Sequence, residues 1–200
     1  DNAATSHRVQ SVLDTWNRIS IESNSNIHRA VHRLADEATQ AYELARDSVK
    51  TFLNAAFREE IVFTSGTTSG VNLVAFSFGE AFVHEGDEVV VTEAEHHSNI
   101  VPWELAAEKR GLNIRVIPMN DEGVLQIECL DELINEKTKI ISVAQVSNSL
   151  GVVHDLKSII SKARSLGGHE LRVVVDGAQG IVHSKVDVQE LDRDFYCFSA

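Results

Sequence analysis

Basic charge is scarce in this sequence: 18 Lys and Arg stand against 30 Asp and Glu in 200 residues, a formal charge of −12. That balance argues against nucleic acid or an anionic membrane as a partner, since both require a basic footprint. No uninterrupted apolar stretch approaches the roughly 20 residues that span a bilayer. Cysteine occurs twice, at Cys129 and Cys197, too seldom for a disulfide framework, which points to a reducing, cytoplasmic setting. Proline also occurs twice, and no repeat, Pro-rich linker or low-complexity tract marks an internal domain boundary. A Walker lysine, a G-x-G-x-x-G turn, an H-E-x-x-H helix and a G-x-S-x-G elbow are all missing, so no metal is assigned and serine hydrolase chemistry has no support. The chain starts at Asp1 without a methionine or a signal peptide and stops at Ala200 straight after an apolar run. The expectation is a piece of a longer protein. What is present, 43% hydrophobic and 24% charged residues, suits an ordinary globular protein with a sizeable core.

Short β-rich runs alternate with longer amphipathic stretches. The β-like runs are Ile61–Thr64, Glu88–Thr92, Asn113–Pro118, Lys139–Val146, Leu171–Asp176 and Asp194–Phe198. Val89-Val90-Val91 and Val173-Val174-Val175 are continuously apolar, as strands buried on both faces are. Helix-like stretches fall at about 68–84, 99–111, 127–136 and 155–167. The rhythm predicts an α/β fold with a mostly parallel central sheet flanked by helices. Residues 1–57 read as a helical part and 58–200 as the sheet part. In the first, Val31, Leu34, Ala38, Ala41, Ala45, Val49 and Phe52 recur at helical spacing, predicting one long helix that lays an apolar stripe on the domain.

Ligands of open α/β sheets sit beyond the carboxyl ends of the strands, so the residues there are the candidates. Ser65-Gly66-Thr67-Thr68-Ser69-Gly70 opens a helix and suits a phosphate, although a plain strand-to-helix turn with threonine caps has the same composition. Glu95-His96-His97 offers an imidazole that could lie flat on a planar ligand or simply face solvent in a loop. Asn148, in Ser147-Asn148-Ser149, is either an amide for a ligand or a turn residue. Asp176 follows three buried valines, a costly place for an acid unless donors or a cation hold it. A protonated ring nitrogen is such a cation; a helix-capping aspartate is the alternative. His28 and His32 lie four apart, but Arg29 stands where a zinc-protease helix has glutamate.

The order and spacing of Asp1-Asn2-Ala3-Ala4-Thr5, Asn26–Arg33, Thr64–Asn72, Glu95–Trp103, Val146–Gly151, Val175–Gln179 and Asp194–Ala200 resemble the class V aminotransferase family of fold-type I pyridoxal 5′-phosphate enzymes. Within it they are most similar to the SufS-like, group II cysteine desulfurase and selenocysteine lyase branch. The resemblance implies a large cofactor-binding domain, truncated before a small C-terminal domain. It implies that Thr67, Thr68 and Ser199 hold the cofactor's phosphate, and that His96 stacks on its ring and handles protons. Asp176 would pair with the ring nitrogen, Gln179 would bond the ring's phenolic oxygen, and Asn148 would lie near that oxygen and the substrate carboxylate. His28 and His32 would line the substrate entrance. The implied activity converts L-cysteine to L-alanine and an enzyme persulfide for iron–sulfur cluster assembly, with a sulfur-acceptor protein and a homodimer as partners. L-Selenocysteine lyase, cysteine sulfinate desulfinase and a non-catalytic binding protein of the same fold are the alternatives. The cofactor's lysine and the nucleophilic cysteine of such enzymes would follow Ala200, leaving this fragment alone inactive; neither Cys129 nor Cys197 matches that cysteine. Around Gly167–Glu170 the sequence departs from the family by a longer loop.

Overall fold

Val89, Val90 and Val91 are all buried, and so are Val173, Val174 and Val175. Alternate valines of each run point into two different hydrophobic clusters, one on either face of a sheet. The computed structural model describes residues 4–29 and 31–200. Asp1–Ala3 and Ala30, which belong to segments carrying the resemblance, lie outside the described residues. The chain divides into two compact units, Asp1–Val62 and Phe63–Ala200.

The second unit is built on five strands: β1 (Glu88–Thr92), β2 (Asn113–Ile117), β3 (Thr138–Ala144), β4 (Arg172–Asp176) and β5 (Phe195–Cys197). All pair in parallel in the order β2-β1-β3-β4-β5. The register sets Val90 opposite Ile141, Ile141 opposite Val173 and Asp176 opposite Cys197. Helix α5 (Val101–Arg110) joins β1 to β2 on one face, where Trp103 and Ala106 pack with Val89, Val91 and Ile140. Helices α6 (Leu130–Leu133) and α7 (Leu156–Gly167) cover the other, with Leu130, Ile159, Ile160 and Ala163 against Val90, Ile141 and Val173. The chain therefore leaves β1 and β3 in opposite directions, and a crevice at their carboxyl ends follows from that divergence.

Before β1 the helical run is α3 (Thr67–Leu73), a π turn (Val74–Phe78) and α4 (Gly79–Phe82). Arg110 of α5 donates from Nη2 to the Ala75 carbonyl at 3.4 Å inside the widened turn. Helix α8 (Gly180–His183) follows β4. The loop at Gly167–Glu170 is the end of α7 and one 3-10 turn.

The first unit holds α1 (Gln10–Glu22), which the periodicity did not predict, and α2 (Arg33–Leu53). No residue of α1 is buried. The α2 stripe needs correction: Ala41, Ala45 and Phe52 are exposed. The helix face that finds partners within the unit is instead polar. Glu43 and Asp47 bind Arg58, and Arg46 donates to the carbonyls of Ile61 and Arg58 at 3.1 and 2.9 Å. Ile61–Thr64 is no strand despite its β-rich composition; Ile61 gives its N–H back to Arg58, and its carbonyl accepts from Arg46.

Candidate functional site

His96, Asp176 and Ser199 follow parallel strands that end on one edge, and Thr67 joins them through Ser199. Thr67 opens α3, and its N–H and hydroxyl meet the Ser199 hydroxyl, two residues past β5, at 3.0 and 2.9 Å. Gly66, before it, has φ +134°, and a Cβ there would come within 3.3 Å of Ser199 Oγ. A side chain would be strained in the backbone and crowd that hydroxyl. Thr68 is exposed, and its carbonyl accepts the Asn72 amide. Ser199 is exposed too, so the hydroxyl-bearing side chains of Thr68 and Ser199 stand open at a helix start, the chemistry that suits an anion.

Asp176 ends β4 and is 4% exposed. Its Oδ1 accepts the Ala178 N–H at 2.9 Å, while its Oδ2 has the Ser98 hydroxyl at 3.4 Å. Burial raises its proton affinity above the ordinary carboxylate range, against the opposing pull of the Ala178 N–H, His96 and Ser98. Among the described residues no lysine or arginine contributes to its ionisation. Its charge is felt by neighbours on other elements. It adds to the burial that drives Tyr196 up and Cys197 up to about 12. The Cys197 thiol thus behaves as a small buried hydrophobe, as its place in a β-run suggested.

His96 is exposed at the carboxyl side of β1. Its Nδ1 accepts the Ser98 N–H at 3.1 Å and lies 2.8 Å from the Ser98 hydroxyl. An accepting Nδ1 places the proton of the neutral ring on Nε2, the atom turned away from this turn. Ser98 thereby links the imidazole to Asp176. Gln179 caps α8 and is half-buried. The backbone between Asp176 and Gln179 is tightly fitted: a Cβ on Gly177 would strike the Tyr196 ring, and one on Gly180 would strike Gln145. Tyr196 donates its hydroxyl to Gln145 Oε1 at 2.6 Å, and Gln145 N–H bonds the Asp176 carbonyl.

Asn148 is exposed in the turn after β3, closed by the Gly151 N–H on the Ser147 carbonyl. His28 and His32 belong to the first unit and have local partners there. His28 meets Glu43 at 3.2 Å, and His32 Nδ1 caps α2 by accepting the Ala35 N–H. Among the described residues no His, Cys, Asp or Glu cluster could hold a metal ion, and no helix is long and apolar enough to cross a membrane.

A polar group beside the site was not singled out from the sequence: Glu95, Asn99 and Ser142. Asn99 and Ser142 are fully buried, and Ser142 interrupts the apolar run Ile140-Ile141-Ser142-Val143, which was the available signal.

A sheet of this order with polar side chains gathered at its carboxyl edge is the ligand-binding half of an α/β enzyme fold. The model of the aminotransferase class-V family matches residues 1–200, and the chain belongs to that family. It is 46% identical over 199 residues to a cysteine desulfurase of Serratia proteamaculans, spanning all of this chain and 48% of that protein. A cysteine desulfurase of Synechococcus elongatus is 47% identical over 199 residues, which make up 31% of its length. The chain thus spans about half or less of the curated relatives it matches. Among solved structures, the cysteine desulfurase CsdA of Escherichia coli superposes with TM-score 0.87 at 39% identity, over all of this chain and 49% of that one. An apo cysteine desulfurase of Thermococcus onnurineus gives 0.90 at 39% identity, over 48% of its chain.

Proposed function

We propose that the full-length protein is a pyridoxal 5′-phosphate enzyme, a cysteine desulfurase, whose cofactor is held by this chain. The observation that carries this reading is Asp176, a buried acid with one short and one long hydrogen bond and, among the described residues, no lysine or arginine acting on it. A cation at its outer oxygen would relieve Asp176 itself and the groups its charge perturbs. A protonated pyridine nitrogen has that charge and shape. The other donors fit the same molecule: Thr67, Thr68 and Ser199 suit its phosphate, His96 its ring face, and Gln179 and Asn148 its ring oxygen and the substrate carboxylate. His28 and His32 enter through the family resemblance alone.

When bound, the cofactor supplies an electron sink for the pair left on the substrate's α-carbon. The chain's own residues do the rest. Asp176, ionised, keeps the ring nitrogen protonated. The Thr67–Ser199 end fixes the anion, and His96, whose Nδ1 accepts the Ser98 N–H, turns Nε2 outward as the ring atom that would exchange a proton with the substrate. The relatives named cysteine desulfurase support L-cysteine as substrate, L-alanine as product and a protein acceptor for the sulfur. A homodimer is proposed for the full-length form.

The test is to titrate the purified full-length protein with pyridoxal phosphate, follow the visible absorbance, and assay alanine and sulfide from L-cysteine. Asp176→Ala removes one side of a buried charge pair, so turnover should drop roughly 10²–10⁴-fold. A wild type that stays colourless, or an Asp176→Ala variant with undiminished turnover, overturns the reading. Faster turnover of L-selenocysteine or cysteine sulfinate would move the substrate and keep the site.

A further inference from the structure

Beside the site lies a second acid with a role of its own. Glu95 Oε1 accepts the Thr92 hydroxyl at 2.7 Å and the Ala144 N–H at 2.9 Å. Its Oε2 accepts the Asn99 amide at 2.6 Å, and the Asn99 carbonyl oxygen accepts the Ser142 hydroxyl at 2.6 Å. One carboxylate thus gathers a donor from the end of β1, one from the end of β3 and one from the turn that follows His96. That turn is short and closed, with the Asn99 N–H on the His96 carbonyl at 2.8 Å. It also contains Ser98, which touches both the His96 ring and Asp176. The ionisable group facing Glu95 from another strand is Asp176; Thr92, Asn99 and Ala144 offer neutral donors.

We propose that Glu95 is the positioning residue of this site, holding the His96–Asn99 turn on the ends of β1 and β3 and so setting the His96 ring and Ser98 against Asp176. The proposal deepens the cofactor reading above and rests on it for its meaning, though not for its test. Glu95 acts through the turn rather than on a reacting atom. Its carboxylate is needed for shape more than for charge. In Glu95→Gln the new amide can donate to the Asn99 oxygen, once the Asn99 amide turns its nitrogen to Ser142, and the remaining oxygen still receives Thr92 and Ala144. In Glu95→Ala those donors lose their common acceptor.

The experiment uses the full-length protein with 15N-labelled histidine, and His96→Gln identifies the His96 ring signal. Wild type and Glu95→Gln should show a single Nε2–H tautomer, while Glu95→Ala should show an averaged one. Pyridoxal phosphate, followed by its visible absorbance, should bind Glu95→Gln about as tightly as wild type and Glu95→Ala about tenfold more weakly. Should Glu95→Ala fail to fold, Thr92→Val and Ser142→Ala each cut one link, and each should shift the tautomer part of the way. An unchanged His96 signal in folded Glu95→Ala, or in both single-link variants, overturns the proposal. A wild type that takes up no pyridoxal phosphate would instead sink the cofactor reading, and the ring-nitrogen comparison would still decide the role of Glu95.

Discussion

Asp176 raises the proton affinity of Glu95, Tyr196 and Cys197, groups carried by a loop and a neighbouring strand, in each case as a lesser addition to burial. Burial, with Asp176 adding to it, lifts Glu95 to about 7 from an ordinary value of 4.5, against the pull of its three donors. The folded protein therefore holds a proton between those values that the unfolded chain has released. Stability should fall as pH rises through that window and level off above about 7, by at most a few kcal/mol at 1.4 kcal/mol per unit. Glu95→Gln should abolish this slope, which urea denaturation at pH 5, 6 and 8 would reveal; parallel profiles would contradict it. His154 works in the opposite sense. It is 7% exposed, neither ring nitrogen has a hydrogen-bond partner among the described residues, and burial lowers its proton affinity. Below its ordinary value of 6.5 the unfolded chain gains a proton that the folded one refuses, so stability is lost as pH falls. His154→Leu should flatten the acid limb of the same profile, and an unaltered limb would show that this imidazole is hydrated. The places of His96 and Asp176 were legible because chemistry gathers where parallel strands end, that of Thr67 from its glycine-bearing turn, and that of Ser199 through the family resemblance alone. The Glu95–Asn99–Ser142 chain was not, since it joins residues more than forty positions apart that meet only through the β1–β3 register.

At the level of elements, the π turn depends on a side chain from a different helix. Arg110 reaches the Ala75 carbonyl, and its approach needs a residue without a Cβ at Gly79, where a Cβ would lie 3.0 Å from Nη2. Arg110→Ala should leave that carbonyl short of a donor and cost about 1–3 kcal/mol in urea denaturation. A change within error would mean that water serves the turn equally well. The strands of the sheet were readable because valine and isoleucine runs buried on both faces leave little ambiguity. The turn itself was not readable, since 68–84 has the composition of an ordinary helix and the widening is stabilised from outside it. Ile61–Thr64 misled for a related reason. Its β propensity is real, but propensity makes no strand without a paired neighbour, and Ile61 turns its N–H to Arg58 and its carbonyl to Arg46 instead. The α2 periodicity located a helix correctly, while the face that finds partners in its unit is Glu43, Arg46 and Asp47.

On the scale of the whole molecule, the chain passes from the first unit to the second in a stretch with little protection. Val62 is 64% exposed and Phe63 43%, and neither lies in a helix or strand. Brief chymotrypsin treatment of the 200-residue chain should cut after Phe63 before any aromatic residue of the sheet, as exposed irregular segments do. Mass spectrometry of the first fragments would check it, and early cleavage at Tyr196 would contradict it. The divergence of the chain at β1 and β3 has a longer-term consequence. The loop bearing His96 runs into α5 and one hydrophobic cluster, whereas the loop bearing Asn148 runs toward α7 and the other. Beyond these loops the two walls of the crevice therefore answer to separate cores, while Ala94 and the Glu95 carboxylate tie the base of the His96 loop to the α7 cluster and to the end of β3. Substitutions in α5 and α7 can accumulate independently over a floor that stays common to both, so descendants of such a fold are free to change what they accept while keeping how they grip it.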